Sequence, residues 1–329
     1  MLGRALTAFV LCFSTGCVYA PLDLGLGEVG KPFEARLTSG SDDEKVVLLR
    51  IDGEISGREE GGFLSSTPAT TSQVRQVLDL ARADDDVKAV VVRINSPGGG
   101  VTASDVIFHE LQRFRSETQK PVVAWFGDTA ASGGYYVAMA ADRIVAAPTC
   151  ITGSIGVVST FYDVTGLEEK LGVHVHAITS GEYKDMGSMF RDMRPDEREL
   201  LQALIDAMYA RFVTVVDEGR PNLDRAAVER LADGRIYTGE QALEAGLVDE
   251  LGYLEDAVDE VAKLAGLREP LLIAYERRGL SAEASTIYSA PQLRALGELG
   301  LESDLGRLAE RVLPARSGPA LHYLWLPGR

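Results

Sequence analysis

The chain has 329 residues, of which 46% are apolar and 25% are charged, and its formal net charge is −16. This composition is typical of a soluble globular protein, and the length allows about two domains or one large α/β unit with additions. The negative charge argues against a nucleic-acid-binding surface, because neutralising phosphates requires clustered lysine and arginine.

The N-terminus predicts an export signal. Arg4 precedes a short apolar run over residues 5–13, which cannot span about 30 Å of hydrocarbon as a helix. One candidate cleavage site is Val18-Tyr-Ala20, where the small residues suit an ordinary signal peptidase, although Pro21 would follow the cut directly.

The other candidate cleavage site is Gly16-Cys17, which resembles a bacterial lipoprotein site, although Ser14 departs from the usual leucine. There Cys17 would become the acylated N-terminus and tether the protein to a membrane without crossing it. Only Cys150 remains in the body of the chain, so no disulfide framework is expected.

Alternating strand and helix patterns predict an α/β fold with a mostly parallel sheet and surrounding helices. We expect a signal segment, a linker, a main domain and a C-terminal extension, over residues 1–17, 18–43, 44–268 and 269–329. The apolar runs that predict buried strands cover residues 45–51, 88–94 and 121–126. The amphipathic patterns that predict helices cover residues 72–83, 102–116, 194–218, 253–264 and 301–312. Thr102 and Asp105 have capping-box spacing, and the apolar tail over residues 321–326 must dock somewhere.

Ser132 lies where a strand gives way to a helix, within Ala130-Ala-Ser-Gly-Gly-Tyr-Tyr136. Its small neighbours would let a carbonyl approach closely, and the N–H of Gly133 would face outward at a helix start. A simple alternative is that Ser132 only caps the helix.

The loop Asn95-Ser-Pro-Gly-Gly-Gly100 also follows a predicted strand and precedes a helix. Such a loop can present consecutive backbone N–H groups to an oxyanion. Its glycine spacing fits neither a phosphate-binding loop nor a dinucleotide fingerprint. Gly98 and Gly99, together with Gly133, are candidate oxyanion donors; the alternative is a turn without a ligand.

Lys184, in Gly181-Glu-Tyr-Lys-Asp185, is the candidate base. A lysine acts as a base only where burial or neighbouring charge removes its proton, whereas most lysines lie in water. Ser154 is a hydroxyl that could orient the amine. His174 and His176 alternate along a predicted strand without a third metal ligand, so neither a metal site nor a cofactor is expected.

Five motifs occur in order and together resemble the signal peptide peptidase A family, which are serine peptidases of the Clp-protease/crotonase-like fold. The resemblance covers about residues 45–265. The motifs are Asn95-Ser-Pro-Gly-Gly99, Ala130-Ala-Ser-Gly-Gly-Tyr-Tyr136, Thr152-Gly-Ser-Ile-Gly156, Gly181-x-Tyr-Lys-Asp185, and Gly234-Arg-x-Tyr-Thr-Gly239 through Gly246-Leu-Val-Asp249.

The resemblance implies that Ser132 is the nucleophile, Lys184 the general base and Ser154 the hydroxyl that holds the lysine. It also implies oxyanion donors at Gly133 and in the Pro-Gly-Gly loop. It implies an octameric ring in which neighbouring subunits share each active site. The expected protein is an endopeptidase for apolar peptides such as released signal peptides, lipid-anchored on the periplasmic side of a bacterial envelope.

Two other functions fit parts of the pattern. One is a crotonase-like acyl-CoA enzyme that uses the same oxyanion architecture without a covalent serine adduct. The other is a non-catalytic, membrane-associated scaffold that keeps the assembly but not the activity.

Overall fold

The fold is mixed α/β with a mainly parallel sheet, which confirms the predicted fold class. The computed structural model describes residues 32–62, 65–67, 69–277 and 322–324. Its strands are β1 (Pro32–Arg36), β2 (Ser41–Asp52), β3 (Glu60–Gly62), β4 (Ser65–Thr67), β5 (Val87–Ser96), β6 (Gly98–Gly100), β7 (Val122–Ala131), β8 (Arg143–Ala146), β9 (Ile151–Gly153), β10 (Ile236–Thr238), β11 (Glu250–Leu251), β12 (Pro270–Arg277) and β13 (His322–Leu324).

The helices follow these strands and flank the sheet. They are α1 (Thr70–Ala83), α2 (Val101–Thr118), α3 (Gly133–Ala138), α4 (Thr165–Leu171), α5 (Pro195–Gly219), α6 (Arg225–Leu231), α7 (Gly239–Glu244) and α8 (Leu254–Ala265). The long helix predicted at residues 194–218 is therefore confirmed as α5.

The main sheet has the strand order β1-β12-β2-β5-β7-β8-β11, and β9 pairs beside the end of β7. The neighbours from β12 to β11 run parallel, as does β9 along β7, whereas β1 and β10 pair antiparallel at the margins. Parallel strands end at the same edge of a sheet, so the loops that follow β5, β7 and β9 meet there.

The central strands are buried on both faces, which explains their unbroken valine-rich sequences. Alternate side chains point to opposite faces. In β2, Val47, Leu49 and Ile51 join the core beneath α1, α2 and α3, whereas Val46 and Leu48 pack with Leu254, Ala257 and Val261 of α8.

The sheet reaches beyond residues 44–268. β1 and the start of β2 lie in the segment expected to be a linker, and β12 lies in the expected C-terminal extension. β12 joins β1 to β2 in the sheet, so chain segments from both ends of the domain complete its edge.

Two local predictions are wrong. α2 has no side-chain cap at Gly100, and the Asp105 carboxylate instead accepts hydrogen bonds from the Tyr136 hydroxyl and the Arg211 guanidinium. His174 and His176 are exposed in an irregular segment and not on a strand.

Cys17, the signal segment and the predicted helix at residues 301–312 lie outside the described residues. Within the described part of the chain, every helix is too short or too polar to cross a bilayer.

Candidate active site

The candidate site lies at the carboxyl edge of the parallel sheet. Ser96 of β5 pairs with Ala130 of β7, and Ser132 follows directly after β7. The glycines of β6 follow β5 after a single residue, Pro97. Two loops that are far apart in sequence therefore meet because their strands are neighbours.

The backbone of Ser132 has an unusual conformation, with φ 53° and ψ −115°. A residue with a Cβ atom is strained there by roughly 1–3 kcal/mol, and such strain concentrates at functional sites. Two hydrogen bonds hold it: the Ser132 N–H donates to the Gly153 carbonyl at 2.7 Å, and the Ser132 carbonyl accepts from the Tyr136 N–H at 2.9 Å. The side chain does not cap α3, so the capping alternative is wrong.

Two fully buried tyrosines anchor α3 behind Ser132. The Tyr135 hydroxyl donates to the Leu247 carbonyl at 2.8 Å, and the Tyr136 hydroxyl donates to Asp105 on α2. Burial raises the pKa of the Tyr135 hydroxyl, so it stays a neutral donor. These bonds fix α3, and with it the strained turn, against both α2 and the region before β11.

Only glycine fits at two positions where the loops meet. A Cβ atom on Gly133 would lie 2.5 Å from Ser104 Oγ and 3.2 Å from both Gly98 Cα and Gly99 N. A Cβ atom on Gly99 would lie 2.1 Å from the Ile55 carbonyl oxygen. The structure therefore brings all three predicted oxyanion glycines into contact next to Ser132.

The N–H groups of this loop do not all point the same way. The Gly98 N–H donates to Ser96 Oγ at 3.1 Å, and the Gly100 N–H donates to the Ile55 carbonyl at 2.9 Å. Gly133 is the first residue of α3, and first-turn N–H groups have no partner within their own helix. Neither of these two loop bonds uses the N–H group of Gly99 or of Gly133. These two N–H groups are thus the candidates for donating to an oxyanion.

Ser154 occupies a position equivalent to that of Ser132 on the neighbouring strand. Ala131 of β7 pairs with Gly153 of β9, and each serine follows its paired residue. Adjacent strands lie about 4.8 Å apart, so the two serines emerge side by side. Ser154 is buried and also has a positive φ, of 49°.

The side chain of Lys184 forms no hydrogen bond with either serine in the part of the chain that the structure describes. It is exposed, in a turn in which its N–H donates to the Gly181 carbonyl, whereas Ser132 is only 1% exposed. Among the described residues, no hydrogen bond or ion pair joins the Lys184 ammonium to Ser132. One copy of the chain thus brings Ser132, Ser154 and the glycines together, but not the predicted base.

Both neighbours of Lys184 in sequence are fixed to the start of α5. Arg191 donates to the Asp185 carboxylate at 2.8 and 2.9 Å and to the fully buried Glu197 carboxylate at 2.5 and 2.9 Å. The Arg194 guanidinium lies 5.3 Å from the centre of the Tyr183 ring. The turn that carries Lys184 is therefore held in place at both sides of the lysine.

Sequence reasoning missed Arg191 and Glu197 as positioning residues. Charged side chains that follow a lysine motif are usually solvated, and nothing in their spacing signals that one arginine bridges two carboxylates. Only the turn and the start of α5, once folded, bring the three groups together.

The arginine bridge predicts how stability depends on pH. Hydrogen bonds from Arg191 hold the pKa values of Glu197 and Asp185 below their ordinary values of 4.5 and 3.8. A lowered folded-state pKa stabilises the fold above the unfolded value, and this contribution is lost as pH falls through the folded value. Arg191→Gln should therefore destabilise the protein more at pH 7 than near pH 3 in urea unfolding. The exposed Arg198→Gln is the matched control, and an equal loss at both pH values would contradict the bridge.

Other nucleophiles and bases are less well placed. Cys150 is buried, and burial raises the pKa of its thiol to about 12, so it is not a thiolate at neutral pH. His174 and His176 are exposed, in an irregular segment. Ser132 is the hydroxyl whose strained turn lies against Gly99 and Gly133.

Comparisons with known proteins identify the family of the chain. The model of the peptidase family S49 matches residues 114–268, and the model of the Clp protease family matches residues 65–152. The second match supports the Clp-type fold. Both matched stretches include Ser132, so the strained turn lies within the residues that both family models match.

Curated relatives extend the similarity over most of the chain. A putative signal peptide peptidase SppA from Enterococcus faecium is 39% identical over 74% of this chain and 70% of its own. The putative protease slr0021 from Synechocystis is 45% identical over 64% of this chain and 76% of its own. The chloroplastic serine protease SPPA of Arabidopsis thaliana is 37% identical over 69% of this chain and 33% of its own. The chain belongs to peptidase family S49 and is a serine peptidase.

Proposed function

We propose that the protein is a Ser–Lys endopeptidase that cleaves extended apolar peptides, such as released signal peptides, with Ser132 as its nucleophile. The observation that carries this proposal is the strained turn at Ser132, buried against Gly99 and Gly133 at the carboxyl edge of the sheet. The printed name of the Enterococcus relative supports the class of substrate.

In the proposed reaction, the neutral amine of Lys184 removes the proton from Ser132 Oγ, which attacks the peptide carbonyl carbon. The N–H groups of Gly133 and Gly99 stabilise the oxyanion. The lysine ammonium then protonates the leaving amine as the C–N bond breaks. Water, deprotonated by Lys184, attacks the acyl-enzyme and releases the acid and the Ser132 hydroxyl.

The base comes, in this proposal, from a second copy of the chain. Lys184 and Ser132 do not meet within one copy, and the segment around Lys184 exposes unusual amounts of apolar surface. α4 has no buried residue, Ile178 is fully exposed, and Leu167 and Leu171 are more than half exposed. Several large apolar side chains exposed in one segment are typical of a protein interface. A ring of copies would bury it and place each amine beside Ser154 and Ser132 of a neighbour.

Attachment to a membrane is part of the same proposal. Acylation of Cys17 would hold the ring at the periplasmic face of a bacterial membrane, where released signal peptides are found. The supporting feature is the sequence Gly16-Cys17 after the short apolar run.

A serine-directed fluorophosphonate probe tests the assignment of the nucleophile. We expect the wild-type protein to form one covalent adduct, mapped to Ser132 by mass spectrometry of peptides. Ser132→Ala should remove the adduct, and Ser116→Ala, which changes an exposed serine of α2, should retain it.

Labelling by the probe, combined with assays of turnover, separates the alternative functions. Turnover of acyl-CoA thioesters without an adduct would indicate a crotonase-like enzyme. Neither an adduct nor any turnover from an intact assembly would indicate a scaffold. Either result would contradict the proposed peptidase mechanism.

A further inference from the structure

The motif Gly234-Arg-x-Tyr-Thr-Gly239 contains strand β10, which lies at the margin of the sheet. β10 pairs antiparallel with β9, with Ile236 opposite Gly153. β9 in turn pairs parallel with the end of β7. The motif therefore lies two strands away from the strand that leads into Ser132.

A single peptide group connects β10 with both serines of the candidate site. It is the group between Gly153 and Ser154. Its carbonyl accepts the Ser132 N–H at 2.7 Å, and its N–H donates to the Arg235 carbonyl at 2.8 Å. Because the carbonyl and the N–H belong to one planar group, rotation of this group breaks both hydrogen bonds together. Its orientation therefore sets the backbone of Ser132 and of Ser154 at the same time.

The local backbone does not hold this peptide group in place by itself. Gly153 has φ 81° and Ser154 has φ 49°, and a positive φ is strained for a residue that has a Cβ atom. Rotating the group by about half a turn would move Ser154 out of the positive-φ region, as in the change between two common turn types. Neighbouring groups must therefore hold the strained arrangement.

The ring of Tyr237 covers this glycine. A Cβ atom on Gly153 would lie 2.5 Å from Tyr237 Cδ2 and 3.1 Å from the Arg235 carbonyl oxygen, so only glycine fits beneath the ring. The Tyr237 hydroxyl donates to the Leu231 carbonyl at 3.1 Å, at the end of α6. Burial raises the pKa of this hydroxyl, so it stays a neutral donor. The ring is thus fixed by its own strand at one end and by α6 at the other.

We propose that Tyr237 is a positioning residue of the peptidase. Its ring holds the peptide group between Gly153 and Ser154 in the orientation that aligns Ser132 for attack and Ser154 for contact with the lysine amine. The hold on the peptide group is a property of the fold, and only its effect on turnover rests on the proposed function. Because the Tyr237 hydroxyl is bonded to the Leu231 carbonyl, Tyr237 acts on the serines through Gly153.

A positioning role has a defined kinetic signature. A misplacement of about 1 Å in a reacting group can cost on the order of a hundredfold in rate. Loss of the ring should therefore lower kcat while KM stays nearly constant, because the interaction is one that matters for the chemical step. A purely structural role would lower the stability of the protein without slowing the reaction of each folded site.

Replacement of the ring by an aliphatic side chain tests the inference. Tyr237→Leu and Tyr237→Ile both remove the ring, and the isoleucine variant guards against misfolding because its branched side chain suits a strand. Tyr237→Phe keeps the ring over Gly153 and loses only the hydrogen bond to Leu231. Tyr209→Leu is the matched control, because the half-buried Tyr209 also donates its hydroxyl proton to a carbonyl next to the end of α6, that of Ala232, at 2.9 Å.

The rate constant for labelling of Ser132 by the fluorophosphonate probe and the steady-state hydrolysis of a peptide are measured on each protein. We expect both ringless variants at position 237 to lower the labelling rate constant and kcat by about ten- to a hundredfold, with KM within about twofold. Tyr237→Phe and Tyr209→Leu should keep both rates within about threefold of wild type. Urea unfolding should show similar losses of stability for Tyr237→Leu and Tyr209→Leu.

Amide hydrogen exchange tests the hold on the peptide group without any activity. The segment that contains Ser154 should exchange faster in Tyr237→Leu and Tyr237→Ile, because the Ser154 N–H then loses its bond to the Arg235 carbonyl more often. The same segment should exchange at the wild-type rate in Tyr209→Leu.

Wild-type rates of labelling and exchange in both ringless variants would overturn the inference. So would equal losses of labelling rate in Tyr237→Leu and Tyr209→Leu, because the effect would then follow stability and not the contact with Gly153. Faster exchange in the ringless variants, in a protein whose wild type neither labels nor hydrolyses peptides, would refute the proposed peptidase mechanism but not the hold of Tyr237 on the peptide group.

Discussion

Replacing Ser132 with alanine is expected to lower kcat/KM for peptide hydrolysis by about 10,000-fold or more, because loss of a covalent nucleophile has effects of this size. Alanine keeps the Cβ atom in the same turn, so the fold and the hydrogen bonds of the backbone should be unchanged. The measurement is steady-state hydrolysis of a fluorogenic apolar peptide, with assembly checked by gel filtration. Ser116→Ala is the control and should retain full activity.

Stability separates the role of Ser132 in chemistry from its role in the fold. Ser132→Gly relieves the strain at φ 53°, and we expect a gain of about 1 kcal/mol in the free energy of unfolding after the greater flexibility of unfolded glycine is subtracted. Ser132→Ala should leave that free energy nearly unchanged. A glycine variant that is inactive but more stable would show that the strain serves the site.

The activity of Ser132→Ala decides the role of Ser132 in the chemistry. Hydrolysis by this variant within tenfold of wild type would exclude Ser132 as the nucleophile.

Replacing Lys184 with alanine is the second large effect that we expect, with peptide turnover reduced to about the level of Ser132→Ala, because residues that act as a unit fail together. Lys184 is exposed, and its side chain makes no hydrogen bond or ion pair among the described residues of its own chain, so the variant should fold and assemble normally. Lys170→Ala, an exposed lysine of α4, is the matched control. Full activity in Lys184→Ala would mean that another group is the base.

Co-expression of the two inactive variants tests whether the site is shared. A ring that mixes Ser132→Ala and Lys184→Ala chains at random contains intact serine–lysine junctions at about one quarter of its interfaces, since each partner is correct half of the time. About one quarter of wild-type activity should therefore return. No recovery from rings shown by mass spectrometry to be mixed would place the dyad within one copy.

The central strands were predictable from sequence because burial on both faces demands unbroken apolar runs. Residues 45–51 and 88–94 form the middle of β2 and β5 for this reason. The sheet margins were not predictable, because β1 and β12 have mixed burial and are defined by their partners across the sheet. Strand pairing between residues 32–36 and 273–277 leaves no periodic signal in either segment.

The sequence was enough to predict which residues lie at the site, but not the contacts that they make. Small residues around Ser132 and Gly98 indicated where two backbones approach, and the structure brings them together. The capping box at Thr102 and Asp105 failed because a tertiary hydrogen bond from Tyr136 engages the Asp105 carboxylate. The contact of β13 with Gly99 was not predictable, because a short apolar tail specifies that it docks but not where.

The hydrogen bonds on either side of Ser132 have a consequence for how the enzyme is made. Its N–H is held by the Gly153 carbonyl and its carbonyl by the Tyr136 N–H, so the backbone that carries the hydroxyl is fixed as soon as a single chain has folded. The conformational entropy lost in ordering the turn at Ser132 is thus lost during the folding of a single chain, before two copies could associate. If the base comes from a second copy, as proposed, assembly adds only the lysine amine, and a single folded chain is expected to be inactive.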